Sequence, residues 1–415
     1  MRYFLYIFLT IKLFANDDLE LVKLAYNNGL KPVPSSFENL LTVLNTNSKE
    51  LSKDKIILGK KLFFEKELSL DRDISCASCH SFDKGGADGK STAIGHKNQK
   101  NPFHLNTPTV LNSAFSKKFF WNGRSETLEN QAKGPLQAPF EMAITKELAE
   151  QRIKEKEEYK EMFQKVYGQI ISFENIVDAI AAYEKTIITR GRFDDFLAGE
   201  FDAMNKPEKE GLKLFITKGC VGCHNGIGLG GEVLRKFPLS YHRIWSMAKP
   251  LEVQELQKRY NYFLSRLDEL SFKDNNSKLN YMKFALGDEN TKLLKESFFH
   301  QIEESETLQV MITSSCTKCH ENNSNHIKQD LVKKVAFPFD NIGGFLGDDS
   351  TQYFKVPLLR NIVQTKPYFH NGSVEKLEDA IKIMGRHQSR TDLTDSEIDK
   401  IILFLKAVDG EMVEY

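Results

Sequence analysis

The chain has no cysteine to spare. Its 415 residues contain six, and all six fall in three copies of one pattern: Cys76-Ala77-Ser78-Cys79-His80, Cys220-Val221-Gly222-Cys223-His224 and Cys316-Thr317-Lys318-Cys319-His320. No further Cys pair is left over at the distance a zinc site recruits, which argues against a zinc framework. An excess of charge is also missing, with Lys plus Arg and Asp plus Glu equal at 57 each. That balance removes the overall basic field expected of a nucleic-acid binder and leaves no acidic tail. Long apolar runs are absent beyond the N-terminus, where a bilayer span would need about 20 residues. What remains is ordinary for a globular protein, 40% hydrophobic and 27% charged, with length for two or three modest domains.

Cys-x-x-Cys-His is the attachment motif of c-type haem. Two thiols join the vinyl groups at one porphyrin edge, and the adjacent His lies under the iron. Covalent attachment takes place outside the bacterial cytoplasmic membrane. The N-terminus agrees with that address: Arg2, a short apolar run and the small Ala15 read as a secretory signal over residues 1–15. Lys12 interrupts the run and Leu13 is bulky near the expected cut, so an uncleaved anchor is the competing reading. The expected location is the periplasm.

Residues 16–50 form an Asn- and Ser-rich lead-in in which Pro32 and Pro34 break helices. Order is expected from Ile56 to Phe64, a short amphipathic helix ahead of the first motif. A matching helix over Pro207–Phe215 precedes the second, with Gly59-x-x-Leu62-Phe63 repeated as Gly211-x-x-Leu214-Phe215. Each unit also closes on an amphipathic helix. Residues 174–189 align Ile176, Val177, Ile180, Tyr183, Ile187 and Ile188; residues 395–408 align Ile398, Ile401, Ile402, Leu405 and Val408. These stripes are core packing that walls a haem. The fold class predicted is mainly α, with two cytochrome c-like haem domains over 16–200 and 201–415, divided near Gly199–Asn205. The second carries a helical insertion over 240–336, which holds the third motif.

Taken together, these motifs resemble the bacterial dihaem cytochrome c peroxidases. The resemblance runs through Leu58–Phe64, Ile74–His80, Ala93–His96, Asn106–Asn112, Phe120–Arg124, Gln131–Pro135 and Glu141-Met142. It continues through Gly219–His224, Leu229–Gly231, Phe354–Asn361, Pro367–Gly372 and Met384-Gly385. It implies hydrogen peroxide reduction at the first haem, bound through Cys76 and Cys79 with His80 proximal. His96, on a Gly-rich loop, is implied as the displaceable distal ligand. Glu141 is implied as the acid–base group and Gln131 as a peroxide- or water-holding amide. The second haem, on Cys220, Cys223 and His224, would take electrons from a small c-type cytochrome. Met384 would be its sixth ligand, raising its potential, and His387 competes for that role. Trp121 would lie between the haems as an electron relay or as packing. A calcium ion is implied on the Asn106 side chain and the carbonyls of Thr365 and Pro367, and relatives of this kind are often homodimers.

The third motif, Cys316, Cys319 and His320, is expected to bind a third haem c, with His242, His300, His326, Met247, Met282 and Met311 as possible sixth ligands. Two other functions compete. A dihaem oxidase of the methylamine-utilisation type carries a Tyr axial ligand at the second haem, for which Tyr353 and Tyr368 are available. A multihaem electron carrier needs no distal acid, so Glu141 and Gln131 speak against it.

Overall fold

A computed structural model describes residues 17–236, 353–389, 391 and 393–415. The signal segment, the third haem motif and the expected helices of the insertion lie outside the described residues, as do the other His and Met candidates named there and the side chain of His387. Two compact units divide the chain. One comprises Met1–Arg235, Asn341–Lys382 and Leu393–Tyr415; the other comprises Lys236–Asp340 and Ile383–Asp392. The first contains both of the first two haem motifs.

The described residues are mainly helical, as the hydrophobic periodicity predicts, with a few three-residue strands. Helix α1 (Lys53–Phe63) leads into the first motif, α2 (Leu128–Gln137) follows it and α3 (Phe173–Glu184) closes that half; α4 (Lys206–Thr217) leads into the second motif, followed by α5 (Leu377–Met384) and α6 (Asp395–Val408). Start signals are legible in the sequence. Asn205 and Glu208 form a reciprocal capping box at α4, and Thr394 and Glu397 form another at α6. The leading and closing helices of each half cross at a glycine. A Cβ on Gly59 would lie 1.8 Å from the Ala179 carbonyl oxygen, and one on Gly211 would lie 1.9 Å from that of Lys400. Only hydrogen fits there, and so the repeated Gly-x-x-Leu-Phe is a helix-crossing device.

Two departures from the expected elements have simple causes. Helix α3 ends at Glu184, and Ile187 and Ile188 lie beyond it, still buried. The Thr186–Thr189 run is β-branched and feeds a strand, Thr189–Gly191, that pairs antiparallel with Gly410–Met412. The lead-in is also more ordered than its prolines suggest, with residues 17–27 and Phe37–Val43 helical on either side of them. Val22, Ala25 and Leu30 pack with Phe193, Phe196, Leu212, Phe215 and Phe404 in the core of the second half. The first half has its own core around Leu58, Phe63, Phe163, Ile176 and Ile180.

The repeat reaches past the helices into the segments that join the halves. Antiparallel bridges Phe119↔Ser125 and Tyr368↔Val374 sit at equivalent positions. Asn112 and Asn361, also equivalent, both take left-handed backbone ahead of a 3₁₀ turn. The halves are tied by a reciprocal pair of backbone bonds: Asn106 N–H donates to His370 O at 2.6 Å, and Lys355 N–H donates to Trp121 O at 2.8 Å. A buried salt bridge pins the Arg192–Leu197 helix within the second half. Arg360 Nη1 and Nη2 reach the two oxygens of Asp194 at 2.9 and 2.8 Å, with both side chains fully buried.

Candidate active site

The first motif opens with a single turn of helix, Cys76–Cys79, and His80 caps it through its N–H to Cys76 O at 3.0 Å. That turn sets both thiols and the imidazole on one wall of a cavity. Ile74, Leu105, Val110, Leu128, Leu136 and Ile180 supply its apolar lining, and Gln131, Pro135, Glu141 and Trp121 also face it. His80 Nδ1 sits 3.0 Å from Gly86 O. With Nδ1–H donated to that carbonyl, Nε2 is left as the basic nitrogen, the arrangement a metal ligand needs. Burial lowers the His80 pKa, keeping the ring neutral. Neither thiol is in a disulfide, and burial pushes Cys79 up to about 11 and raises Cys76 as well. Two unpaired thiols, a tautomer-fixed His and an apolar-walled cavity fit a covalently attached haem.

The second motif repeats the plan. A 3₁₀ turn over Cys220–Gly222 leads to His224, whose Nδ1 is 3.0 Å from Leu229 O and whose pKa burial drives to about 4. A Cβ on Gly230 would lie 2.1 Å from Pro357 O and 3.3 Å from His224 Nδ1, so the chain passes this His in close contact with the Pro357 backbone. Met384 ends α5 and is partly buried, followed by a π-turn over Gly385–Ser389. Tyr353 is half-exposed, whereas Tyr368 is buried and its phenol is raised to about 12 by desolvation.

Gln131 and Glu141 enter the first cavity from α2 and from the turn after it. Burial raises the Glu141 carboxyl to about 6, and Arg124 opposes the shift. The Arg124 guanidinium stacks 3.3 Å from the Phe120 ring centroid. His96 is placed differently. Its N–H donates to Glu141 O at 2.7 Å, but its ring turns to Asp71, with Nδ1 3.3 Å from Oδ2, and does not line the cavity. Lys97 and Asn98, with φ of 54° and 56°, hold the loop in left-handed backbone. Trp121 is buried, donates from Nε1 to Asn106 O at 2.9 Å and meets the His370 ring edge-on at 6.3 Å. Asn106 donates its side-chain amide to Lys90 O at 2.7 Å, leaving Oδ1 as its metal-capable atom. Thr365 and Pro367 lie in the segment leading to His370, to which Asn106 is bonded.

Four participants have no role in the sequence reading. Arg124 stood in a recognisable Trp-Asn-Gly-Arg run that could have flagged it. Asp71 precedes the first motif without any local signal. Glu184 and Lys355 look like an ordinary helix-end carboxylate and a strand cation, yet both are buried and line the first cavity.

A family model described as di-haem cytochrome c peroxidase matches residues 53–202. A cytochrome c551 peroxidase of Nitrosomonas europaea is 33% identical over 86% of this chain and 80% of its own length. A cytochrome c551 peroxidase of Pseudomonas aeruginosa is 31% identical over 93% and 86%. Among solved structures, a MauG-like protein associated with microbial copper homeostasis aligns with a TM-score of 0.56 at 23% identity, over 87% of this chain and 90% of that one. The last likeness bears on the fold alone. Two Cys-x-x-Cys-His sites of matching design and similarity to named peroxidases over most of the chain lead to one conclusion: the chain belongs to the di-haem cytochrome c peroxidase family and is a peroxidase of the oxidoreductase class.

Proposed function

We propose that this chain reduces hydrogen peroxide to two waters in the periplasm, consuming two protons and two electrons from a small c-type cytochrome. The observation that carries the proposal is the meeting of Gln131 and Glu141 in one cavity with Cys76, Cys79 and His80. An electron carrier has no use for a buried carboxyl held near 6 beside its haem. Bound at these thiols, the haem supplies an iron for peroxide and the electrons that cleave its O–O bond. The Gln131 amide would hold the peroxide, and Glu141 would take the proton from the inner oxygen and return it to the outer one.

His96 would be the releasable sixth ligand of the first site, and its contact with Asp71 supports a position for it away from the cavity. His224 and Met384 would hold the electron-accepting haem, and Trp121 would connect the sites. The 16–200 and 201–415 segments would be the two haem domains, with the insertion adding a third haem through Cys316, Cys319 and His320. Calcium would bind Asn106 Oδ1 with the carbonyls of Thr365 and Pro367, three hard neutral oxygens, and the enzyme would work as a dimer. The test is a steady-state assay with peroxide and a reduced small cytochrome, alongside pyridine haemochrome quantitation. Peroxide-dependent oxidation of the donor and three haems per chain are expected. No oxidation after pre-reduction rejects the activity, and two haems reject the third site.

A further inference from the structure

The first cavity contains a cation that no group among the described residues neutralises. Lys355 is 7% exposed and lines the cavity. Its backbone N–H is fixed to Trp121 O at 2.8 Å, which holds the residue beside the indole. Its ammonium forms no hydrogen bond or ion pair among the described residues, and the cavity's two carboxyls, Glu141 and Glu184, leave it unpaired. Burial alone, with no anion to oppose it, depresses its pKa to about 8. A buried, unpaired ammonium is costly.

Three hydroxyls on the same cavity share this condition. Thr107 Oγ1, Ser113 Oγ and Ser116 Oγ are all buried without a hydrogen-bond partner, and all three residues line the cavity with Lys355. Orphaned buried donors are few in native proteins, and several in one cavity imply an acceptor that belongs there. The acceptor must be anionic to meet Lys355 and must offer several lone pairs to meet the hydroxyls. Carboxylates satisfy both requirements. A c-type haem carries two of them, at the edge opposite its thioether bonds.

We propose that Lys355, with Thr107, Ser113 and Ser116, forms the anchor for the carboxylate groups of the first haem. This rests on the assignment of that cavity to the haem on Cys76 and Cys79. The anchor gives Lys355 a second consequence. It places a fixed positive charge beside the first haem, at the residue bonded to the Trp121 carbonyl, and a nearby cation favours the reduced iron. Lys355 is thus a positioning residue that also sets the potential of the first haem.

The experiment uses the full-length haem-loaded enzyme, with Lys355→Met, Lys355→Arg and a Ser113→Ala/Ser116→Ala double variant. Covalent haem at Cys76 and Cys79 is counted by mass spectrometry of the haem peptides, and the first-haem midpoint potential is read by spectroelectrochemical titration. Lys355→Met is expected to keep its haem and shift the potential downward. Lys355→Arg is expected to restore the wild-type value, and the double variant to shift downward by less. An unchanged potential in Lys355→Met with haem attached overturns the anchor while leaving the peroxidase reading intact. A wild-type chain without haem at Cys76 and Cys79 instead overturns the cavity assignment. Should Lys355→Met not fold, an unchanged potential in the double variant overturns the anchor by itself. A free carboxylate is the other source of the same chemistry. A wild-type potential that tracks added acetate at constant ionic strength identifies it and overturns the haem assignment, and independence of acetate supports it.

Discussion

The carboxyl of Glu141 should govern how peroxide turnover depends on pH. Burial raises it to about 6 from an ordinary 4.5, a net cost of about 2 kcal/mol against the ionised form. In the proposed role the group must be ionised to take the first proton. Near pH 7 the carboxylate outnumbers the acid by about ten to one, and near pH 5 the ratio is reversed. Turnover of the pre-reduced enzyme should therefore fall about tenfold from its plateau between those values, with its midpoint near 6. Glu141→Gln should remove that limb and lower the rate at the plateau by about 10²–10⁴. Arg124→Gln keeps the proton carrier but removes the cation that opposes the shift, so the limb should move to higher pH while the plateau survives. The assay is stopped-flow peroxide decay with a donor that does not titrate in this range. A flat wild-type profile, or an acid limb that persists in Glu141→Gln, would refute the reasoning.

Other residues make separate predictions. Arg360→Met leaves the fully buried Asp194 carboxylate without its cation, although the N–H groups of Val33 and Gly191 still reach it; urea unfolding should report a loss of about 3–5 kcal/mol. Glu184 is buried with Oε2 unpartnered, and desolvation raises it to about 8. Its folded state binds the proton more tightly than the unfolded chain, so stability is full below about 4.5 and falls by up to about 1.4 kcal/mol per pH unit until about 8. Thermal melts of Glu184→Gln should lack most of that slope and gain over wild type as pH rises; parallel curves would refute the assignment. Gly211→Ala must push α4 off the Lys400 carbonyl and should cost about 1–3 kcal/mol, measured as a lower denaturation midpoint with α-helical content retained.

What the sequence made legible was what the chain encodes locally. Attachment of a haem needs two thiols and a His within five residues, so all three motifs were visible in one reading. Helix faces and their caps were legible for the same reason, as at Asn205–Glu208 and Thr394–Glu397. Gln131 and Glu141 were named only through family motifs, and they do share the cavity of the first motif. Lys355 stood in the Phe354–Asn361 run, but nothing local marked it as buried, because its burial depends on a segment far along the chain reaching Trp121. Nor could the sequence show the Asp71 contact that turns the His96 ring from the cavity. The end of α3 was misjudged because apolar periodicity continues through Ile187 and Ile188 after the helix gives way to a strand partner 223 residues on, at Met412. Periodicity reports burial, and a turn can be as buried as a helix.

The doubled architecture would also allow one scaffold to hold two haems with unlike sixth ligands. Helices α2 and α5 occupy equivalent places in the two halves, and position for position Pro135 stands where the other half has Met384. A thioether has a lone pair to offer a metal, whereas the pyrrolidine ring has none. If Met384 is the sixth ligand proposed for the second haem, this one helix position would separate a closed site from one that must borrow its sixth donor. On the first side the proposed donor, His96, sits on a loop and would be withdrawn without disturbing any helix.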